Sequence, residues 1–204
     1  MAGLRERQKV KRRRDILAAA AVLFKRDGFA DAAIEQIADN AGLSAGTVYN
    51  YFPSKGDLLL ALVALDGQEV RAAGAAIVEA PPADPVKAAC RLLEVYVDHA
   101  LVHLDKRLWR QMMANALAFA DTPLGAGYRE LDHKLAEQVG DLLGALQAKG
   151  RLARGINCTD AGQVLFFICN QLFMEFVADD AMPRARMKER MFRQVKLAFD
   201  GFLP

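Results

Sequence analysis

Residues 44–55 carry the side chains in this chain whose chemistry best suits the reading of another molecule. Hydroxyl, amide and phenol groups alternate there with very small residues, and a lysine follows. Small residues let a helix backbone approach the base edges of DNA, polar side chains bond to those edges, and phenol and ammonium groups reach phosphates. The candidate DNA-binding residues are Ser44, Ala45, Gly46, Thr47, Tyr49, Asn50, Tyr51 and Lys55.

The apolar residues around this segment predict the helices that would present it. Ile34 and Ile37 share the inner face of a helix that ends at Gly42. Val48 and Tyr51 share the inner face of the helix that follows. Two short helices that cross steeply need a glycine where the backbone reverses, so the pattern predicts a helix-turn-helix whose second helix can enter the major groove. An ordinary helical hairpin with a glycine turn would show the same spacing.

Positive charge is concentrated at the start of the chain. Seven arginine and lysine residues and one glutamate stand among the first fourteen residues, whereas the whole chain has a formal net charge of +2. A basic arm on an otherwise mildly acidic body is expected where one end alone meets a polyanion. A solvated tail without a partner would show the same run of charges.

Apolar residues recur at helical spacing throughout, and no segment alternates as a strand would. The sequence therefore predicts an all-α fold of about nine helices, with Ser44 and Ser54 as N-caps of the third and fourth. The predicted helices span residues 16–27, 34–41, 44–52, 54–73, 86–104, 108–120, 128–149, 160–177 and 184–202.

The length of 204 residues suits one domain with a small module attached. We predict that residues 1–53 form the basic arm and the helix-turn-helix DNA-binding domain. Residues 54–204 are predicted to form a ligand-binding and dimerisation domain, in which residues 54–73 are the connecting helix. A proline-rich break at residues 80–85 follows that helix.

Cysteine usage and hydropathy indicate the cellular compartment in which the protein resides. Cys90, Cys158 and Cys169 lie far apart in apolar helical stretches, which is typical of buried thiols in a reducing compartment. The most apolar run, residues 164–177, is shorter than a membrane span and includes three polar residues. We expect a cytoplasmic protein with no export signal and no membrane contact.

The stretch of residues 16–62 resembles the DNA-binding domain of the TetR (tetracycline repressor) family. The resemblance is carried by Ile16-Leu17-Ala18-Ala19-Ala20, Phe24, Gly28-Phe29, Ile37-Ala38, Ala41-Gly42-Leu43-Ser44, Gly46-Thr47-Val48-Tyr49, Tyr51-Phe52-Pro53-Ser54-Lys55 and Leu58-Leu59. It implies a homodimer that binds a palindromic operator in double-stranded DNA, most often as a repressor, and that a small-molecule inducer releases. Ala32 and Ala33 replace the threonine or serine that usually caps the second helix, and Asp31 is expected to cap it instead.

The last two predicted helices are the candidates for the dimer interface. Eleven of the fourteen residues in 164–177 are apolar, and they surround the helix instead of forming one stripe. The last helix adds an apolar row at Met187, Met191, Val195 and Phe199. We expect both helices to pair with their copies in a second subunit as a four-helix interface. A monomer in which earlier helices cover these surfaces is the alternative.

Candidate ligand-binding residues are polar, aromatic or sulfur-containing side chains on helices expected to line the interior of the second domain. They are Tyr96, His99, His103, Trp109, Met113, Phe166 and Asn170, with Met112, Asn115 and Phe119 as further candidates. Apolar walls with a few polar groups are typical of small-molecule sites, so the inducer is expected to be at least partly apolar. Ordinary core packing would place the same residue types at the same spacing.

Histidine spacing leaves two other hypotheses open. His99 and His103 share a helix face, but two histidines without a third ligand do not complete a metal site, so we predict no metal and no cofactor. No nucleophile with a convincing partner and no phosphate-cradling glycine loop stands in the sequence, so we predict no enzymatic activity. A TetR-like ligand carrier that does not bind DNA remains an alternative, and the loss of the capping threonine or serine at Ala32 and Ala33 favours it slightly.

Overall fold

The computed structural model describes residues 2–200, and these contain nine α-helices and no β-strand. The helices are α1 (Ala2–Asp27), α2 (Ile34–Asn40), α3 (Ala45–Tyr51), α4 (Lys55–Glu79), α5 (Pro85–His103), α6 (Lys106–Ala118), α7 (Pro123–Ala148), α8 (Cys158–Ala178) and α9 (Arg184–Phe199). The predicted all-α fold is therefore confirmed. Phe202, the predicted end of the last helix, lies outside the described residues.

Helix α1 begins much earlier than its apolar pattern predicts. Residues 3–14 are helical but exposed, so no buried stripe marks them in the sequence. From Ile16 onward one face is buried, with Leu23 and Phe24 fully inaccessible to solvent. Gly28 then ends the helix at φ +90°, a backbone conformation that favours glycine.

Helices α2 and α3 form the predicted helix-turn-helix. Gly42 reverses the chain between them at φ +65°, and the amide of Leu43 donates to the carbonyl of Ala38 at 2.9 Å. Ile37 and Val48 are completely buried, so each short helix is held by one apolar anchor on its inner face. Seven-residue helices are marginal alone, and this packing is what stabilises them.

The caps follow the prediction at two helices and depart from it at one. The Ser44 hydroxyl accepts from the amide of Thr47 at 3.2 Å, and the Ser54 hydroxyl accepts from the amide of Asp57 at 3.2 Å, so both predicted N-caps are confirmed. The prediction that Asp31 caps α2 is wrong. The N-cap residue is Ala33, which has no side-chain acceptor, and Asp31 lies two positions too early in the chain.

The chain forms two compact units. Unit 1 contains the residues up to Leu65 together with His103–Tyr128. Unit 2 contains Asp66–Val102 together with the residues from Arg129 onward. Helices α4 and α7 each continue from one unit into the other along the chain. This division follows residue contacts, and the functional boundary between residues 53 and 54 stays a prediction.

Within unit 1, α6 contacts the C-terminal end of α1. Asp105 caps α6 by accepting from the amide of Leu108 at 2.8 Å. Two residues after the cap, the guanidinium of Arg107 donates to the carbonyl of Lys25 at 3.0 Å. A cation there also lies at the negative end of the α1 dipole, so α6 stabilises the C-terminus of α1.

Unit 2 is built from α5, α8, α9 and the adjoining parts of α4 and α7. Gly140 and Gly162 let α7 and α8 meet closely, because a Cβ atom at Gly162 would lie 2.5 Å from the amide nitrogen of Gly140. Cys90 and Cys169 are buried free thiols, as predicted, whereas Cys158 is only half-buried. Burial raises the pKa of both buried thiols to about 12.

Helix α9 turns its apolar row inward, which corrects the predicted interface. Met187, Met191, Val195 and Phe199 are each 0% exposed within the single chain, so they cannot contact a second subunit. They pack inside unit 2 because α9 must cover its own α8. The large apolar residues that these two helices expose are Val164, Phe167, Met174, Phe192 and Leu197.

Helix α8 is the one described helix whose length and hydropathy would suit a membrane span. Half of that apolar stretch is buried inside the protein. A core helix has the same profile, so this feature is weak support for a membrane segment.

Candidate nucleic-acid interface and ligand site

Helix α3 presents the predicted base-reading residues on its outer side. Ser44, Gly46, Tyr49 and Asn50 are exposed, and Val48 between them is fully buried. The other three, Ala45, Thr47 and Tyr51, are half-buried. The structure therefore brings all seven residues of this segment together around one helix, with small side chains at its N-terminal end. That arrangement suits entry of the helix into a major groove.

The first turn of α3 is held by a pair of hydroxyl groups. The Ser44 and Thr47 side-chain oxygens lie 2.9 Å apart, in addition to the capping bond from the Thr47 amide to Ser44. These bonds orient the Thr47 hydroxyl toward Ser44 in the protein without DNA. Its hydroxyl must share or exchange this bond if it is to bond to a base edge.

Two cations contact the faces of aromatic rings that lie just before and just after the helix-turn-helix. The guanidinium of Arg13 lies 4.7 Å from the ring centroid of Phe52, which closes α3. The ammonium of Lys55 lies 5.2 Å from the ring centroid of Phe29. Such cation–π contacts add to the burial of the rings.

Lys55 also makes hydrogen bonds that the sequence did not predict. Its ammonium donates to the carbonyl of Phe29 at 2.8 Å and to the carbonyl of Ala30 at 2.7 Å. Two of its three N–H donors are thus used to tie the loop after α1 to the start of α4. Phosphate binding by Lys55 stays a prediction, with one donor left for it.

The basic arm is the exposed first half of α1. Its cations extend from Arg5 to Arg14, and their one described ion pair is the 3.9 Å contact between Lys11 and Asp15. Cations three and four residues apart repel each other on a helix, and Arg5 also lies near the positive end of the helix dipole. A polyanion would relieve both effects.

The predicted ligand-binding residues fall into two groups. Tyr96, His99, Phe166 and Asn170 belong to unit 2, whereas His103, Trp109 and Met113 belong to unit 1. Tyr96, Phe166, Trp109 and Met113 are buried, and the two histidines and Asn170 are half-buried.

Phe119, a further candidate, is 58% exposed and does not line an interior. It lies instead on an open groove of about 290 Å³ within unit 1, together with Phe29, Leu60 and Leu124. The prediction that Phe119 faces the inside is wrong because α6 ends there, and Phe119 is its C-cap residue.

Within unit 2, Tyr96 belongs to a closed polar network. Its hydroxyl donates to the side-chain oxygen of Gln138 at 2.9 Å, and the amide group of Gln138 donates to the carbonyl of Arg71 at 2.8 Å. Burial, above all, raises the pKa of Tyr96 far above its ordinary value. These groups satisfy one another and link α4, α5 and α7.

Asp132 is a candidate that the sequence reasoning missed. Its carboxylate accepts from the side-chain amide of Asn170 at 3.3 Å, and burial raises its pKa to about 7 despite that bond. The missed signal is its position on α7, where it falls in register with the buried residues Leu135, Ala136 and Val139.

His99 is the other incompletely satisfied group in unit 2. Its Nδ1 atom is buried and has no hydrogen-bond partner. No group of three or more metal-ligating side chains occurs among the side chains that the structure describes. An imidazole nitrogen without a partner and a carboxylate can both form hydrogen bonds to a polar group.

The sequence is similar to that of known regulators. Residues 16–62 match the model of the family described as bacterial regulatory proteins, tetR family. The chain is 37% identical over 81 residues to the HTH-type transcriptional regulator EthR of Mycolicibacterium smegmatis. It is 29% identical over 138 residues to the HTH-type transcriptional repressor KstR of Rhodococcus jostii. These matches cover 40% and 68% of this chain, and they span only 37% and 58% of the two relatives.

Solved structures share the fold. A TetR transcription regulator from Haloarcula marismortui matches with a TM-score of 0.74 and 18% identity, over 96% of this chain and 100% of that one. FadR of Thermus thermophilus, solved in complex with lauroyl-CoA, matches with a TM-score of 0.67 and 24% identity, over 94% of this chain and 95% of that one.

The bonds of Lys55 predict that Lys55→Met destabilises the fold. The variant keeps most of the apolar stem but leaves two carbonyls without their charged donor, so the free energy of unfolding should fall by about 1–2 kcal/mol. Urea unfolding followed by circular dichroism measures it. Lys149→Met, at an exposed lysine, is the control. Unchanged stability of Lys55→Met would show that these bonds contribute nothing.

The raised pKa of Asp132 predicts a pH-dependent stability. Because the folded-state pKa of about 7 lies above the unfolded value, the contribution of Asp132 is complete below about pH 4 and is lost as the pH rises through 7. Asp132→Asn stays neutral, so its advantage over the wild type should grow to about 1–3 kcal/mol by pH 8, allowing for partial solvent access. Unfolding curves from pH 5 to 8 test this. Glu137→Gln, on the same helix but exposed, should show no such growth, and parallel curves for Asp132→Asn would contradict the assignment.

Proposed function

We propose that this chain, which belongs to the tetR family of bacterial regulatory proteins, represses transcription as a homodimer that binds a palindromic operator. The observation that carries the proposal is the outer side of α3. It presents small and hydrogen-bonding side chains on a helix-turn-helix that matches the family model. The named relative KstR is a repressor, which favours repression over activation.

Base reading would fall to few groups. Thr47 and Asn50 are the side chains of α3 that can donate and accept hydrogen bonds toward base edges, and Ala45 offers a methyl for contact with thymine. Gly46 allows close approach of the backbone. With so few direct contacts, sequence-dependent DNA shape would contribute to the choice of operator.

Phosphate contacts would supply most of the affinity. The exposed cations of the arm continue α1 away from its buried half, and Tyr49 and Tyr51 flank the base-reading side of α3. Each phosphate neutralised releases counterions, so binding should weaken steeply with salt.

The dimer would form through the exposed apolar side of α8 and α9. Val164, Phe167 and Met174 share one face of α8, and Phe167 is 59% exposed. Phe192 adds an aromatic ring on α9. Exposed aromatic residues in such a group mark association surfaces. A dimer would place two α3 helices about one DNA turn apart, which matches a palindrome.

A small-molecule inducer would act through α4. This helix runs from Lys55 to Glu79, so it begins beside the DNA-reading residues and continues into unit 2. The dimer would have a second state in which the distance between its two α3 helices does not match the operator. An inducer that binds this second state more tightly by roughly 1–3 kcal/mol would release much of the protein from DNA. The related fold of FadR was solved with lauroyl-CoA, so this architecture accommodates small molecules. A cytoplasmic location follows from the same proposal, because the operator is there.

The proposal predicts selection of one palindromic sequence from fragments of the source genome at near-physiological salt. Thr47→Ala should relax that selection, at a cost of about 1–3 kcal/mol for the preferred base. The double variant Lys9→Ala, Arg12→Ala removes four cations from a dimer, so it should weaken all sequences alike and lower the slope of log affinity against log salt by about 2–4. Lys149→Ala, Arg151→Ala, two exposed changes in unit 2, is the matched charge control. A folded dimer that shows no enrichment over random DNA would reject the repressor and leave the ligand-carrier function.

The proposed interface predicts that Phe167→Glu produces monomers. The glutamate would place a charge where two apolar faces meet, and sedimentation or light scattering would report the change in mass. Leu117→Glu, at an exposed leucine of α6, is the matched control and should stay dimeric. A dimeric Phe167→Glu variant would move the interface elsewhere.

A further inference from the structure

Two polar groups in unit 2 have hydrogen-bonding capacity that the protein itself does not use, and of these Asp132 is half-buried. The described hydrogen bonds of the Asp132 carboxylate are limited to the 3.3 Å contact from Asn170, and no cation pairs with it. The Nδ1 atom of His99 is buried without any partner. Buried polar atoms in folded proteins are nearly always satisfied, so an exception calls for an explanation such as an absent ligand.

The helix packing places these two groups at the same level of unit 2. Leu92 of α5 and Gln138 of α7 both lie against Gly74, and further along α5 the Tyr96 hydroxyl lies 3.3 Å from the carbonyl of Leu135. Along the chain, α5 leaves unit 2 at its C-terminal end and α7 enters unit 2 at its N-terminal end, so the two helices run antiparallel within unit 2.

His99 and Asp132 each lie one helical turn beyond the contact between Tyr96 and Leu135. His99 follows Tyr96 by three residues, and Asp132 precedes Leu135 by three. In antiparallel helices these two steps lead in the same direction. Asn170 brings α8 to the same level through its bond to Asp132.

On the opposite side of the contact between Tyr96 and Leu135, away from His99 and Asp132, the polar groups already have hydrogen-bond partners. Tyr96 and Gln138 bond to each other and to the backbone, which leaves no vacancy there for a ligand. The thiol of Cys169, next to Asn170, is buried and uncharged at neutral pH. The unmet hydrogen-bonding capacity of this region therefore lies with Asp132 and His99.

We propose that this part of unit 2 binds a cationic effector, whose protonated amine or similar head donates to Asp132 while His99 bonds to a neighbouring polar group of the same molecule. A carboxylate without a cation is the complement of such a head, because a charge-assisted bond is about twice as strong as a neutral one. Phe166, which lies one helical turn before Asn170 on α8, would contact the rest of the molecule. This inference rests on the proposed function, since it names the chemical class of the inducer.

In its ionised form, Asp132 disfavours an anionic effector. A carboxylate or phosphate in this position would face Asp132 with no arginine or lysine described beside it to offset the repulsion. The raised pKa of Asp132 is consistent with an unpaired carboxyl group that a bound cation would ionise. The site therefore distinguishes ligands by the sign of their charge.

Three probes with the same eight-carbon chain test the proposal: octylammonium, octanol and octanoate. Isothermal titration with the full-length protein at pH 7.5 measures their affinities, and thermal melting gives an independent readout. Octylammonium should bind roughly tenfold or more tightly than octanol, as expected for a charge-assisted bond, and octanoate more weakly than either. Asp132→Asn should abolish the preference for the ammonium over the alcohol, with little effect on octanol.

Matched variants distinguish ligand binding by Asp132 and His99 from a purely structural role of these residues. Glu137→Gln removes a carboxylate from the exposed side of the same helix and should keep the full preference. His99→Leu should weaken amines with a second polar group, such as 8-aminooctanol, more than it weakens octylammonium. Circular dichroism confirms that each variant is folded. Equal binding of octanoate, no binding of any probe, or a preference that survives in Asp132→Asn would each overturn the cation site.

Operator binding by the same preparations distinguishes failure of this site from failure of the proposed function. A protein that binds a palindrome but does not prefer octylammonium would contradict the cationic effector alone. A protein that prefers octylammonium through Asp132 but binds no operator would contradict the repressor alone. Release of operator by octylammonium in the wild type, lost in Asp132→Asn, would support both.

Discussion

The ammonium of Lys55 joins the parts of the helix-turn-helix unit on which everything else depends. By donating to the carbonyls of Phe29 and Ala30, it fastens the loop after α1 to the first turn of α4. Helices α2 and α3 lie between these two points in the chain and have only seven residues each. Helices that short do not persist by themselves, so the orientation of α3 depends on the buried anchors Ile37 and Val48 and on this closure.

Local chemistry allowed much of this fold to be predicted from the sequence. Helix ends follow from residues whose effect is confined to one turn, which is why the glycines at 28 and 42 and the caps at Ser44 and Ser54 occur where expected. The start of α1 escaped prediction because an exposed basic helix carries no apolar stripe. The direction of the Met187 row escaped it because periodicity shows that a face is apolar, but not which surface covers it.

The candidate sites were predictable to different degrees for the same reason. The outer residues of α3 are adjacent in the chain, so their shared surface follows from helix geometry alone. The bonds of Lys55 and the pairing of Asp132 with Asn170 join residues 25 to 38 positions apart, and no local pattern specifies them. Membership of α6 in unit 1 likewise depends on long-range contacts such as the one from Arg107 to Lys25.

The continuity of α1 has a consequence for how this arm can change in evolution. Because one unbroken helix runs from Ala2 to Asp27, each arm residue has an angular position fixed by the buried half of the helix. A residue inserted or deleted at the root of the arm, between Arg14 and Ile16, would rotate all its cations by about 100° around the helix axis. The same change near the tip would leave the others in phase. Length variation should therefore accumulate at the tip of the arm, while its root keeps a constant residue count.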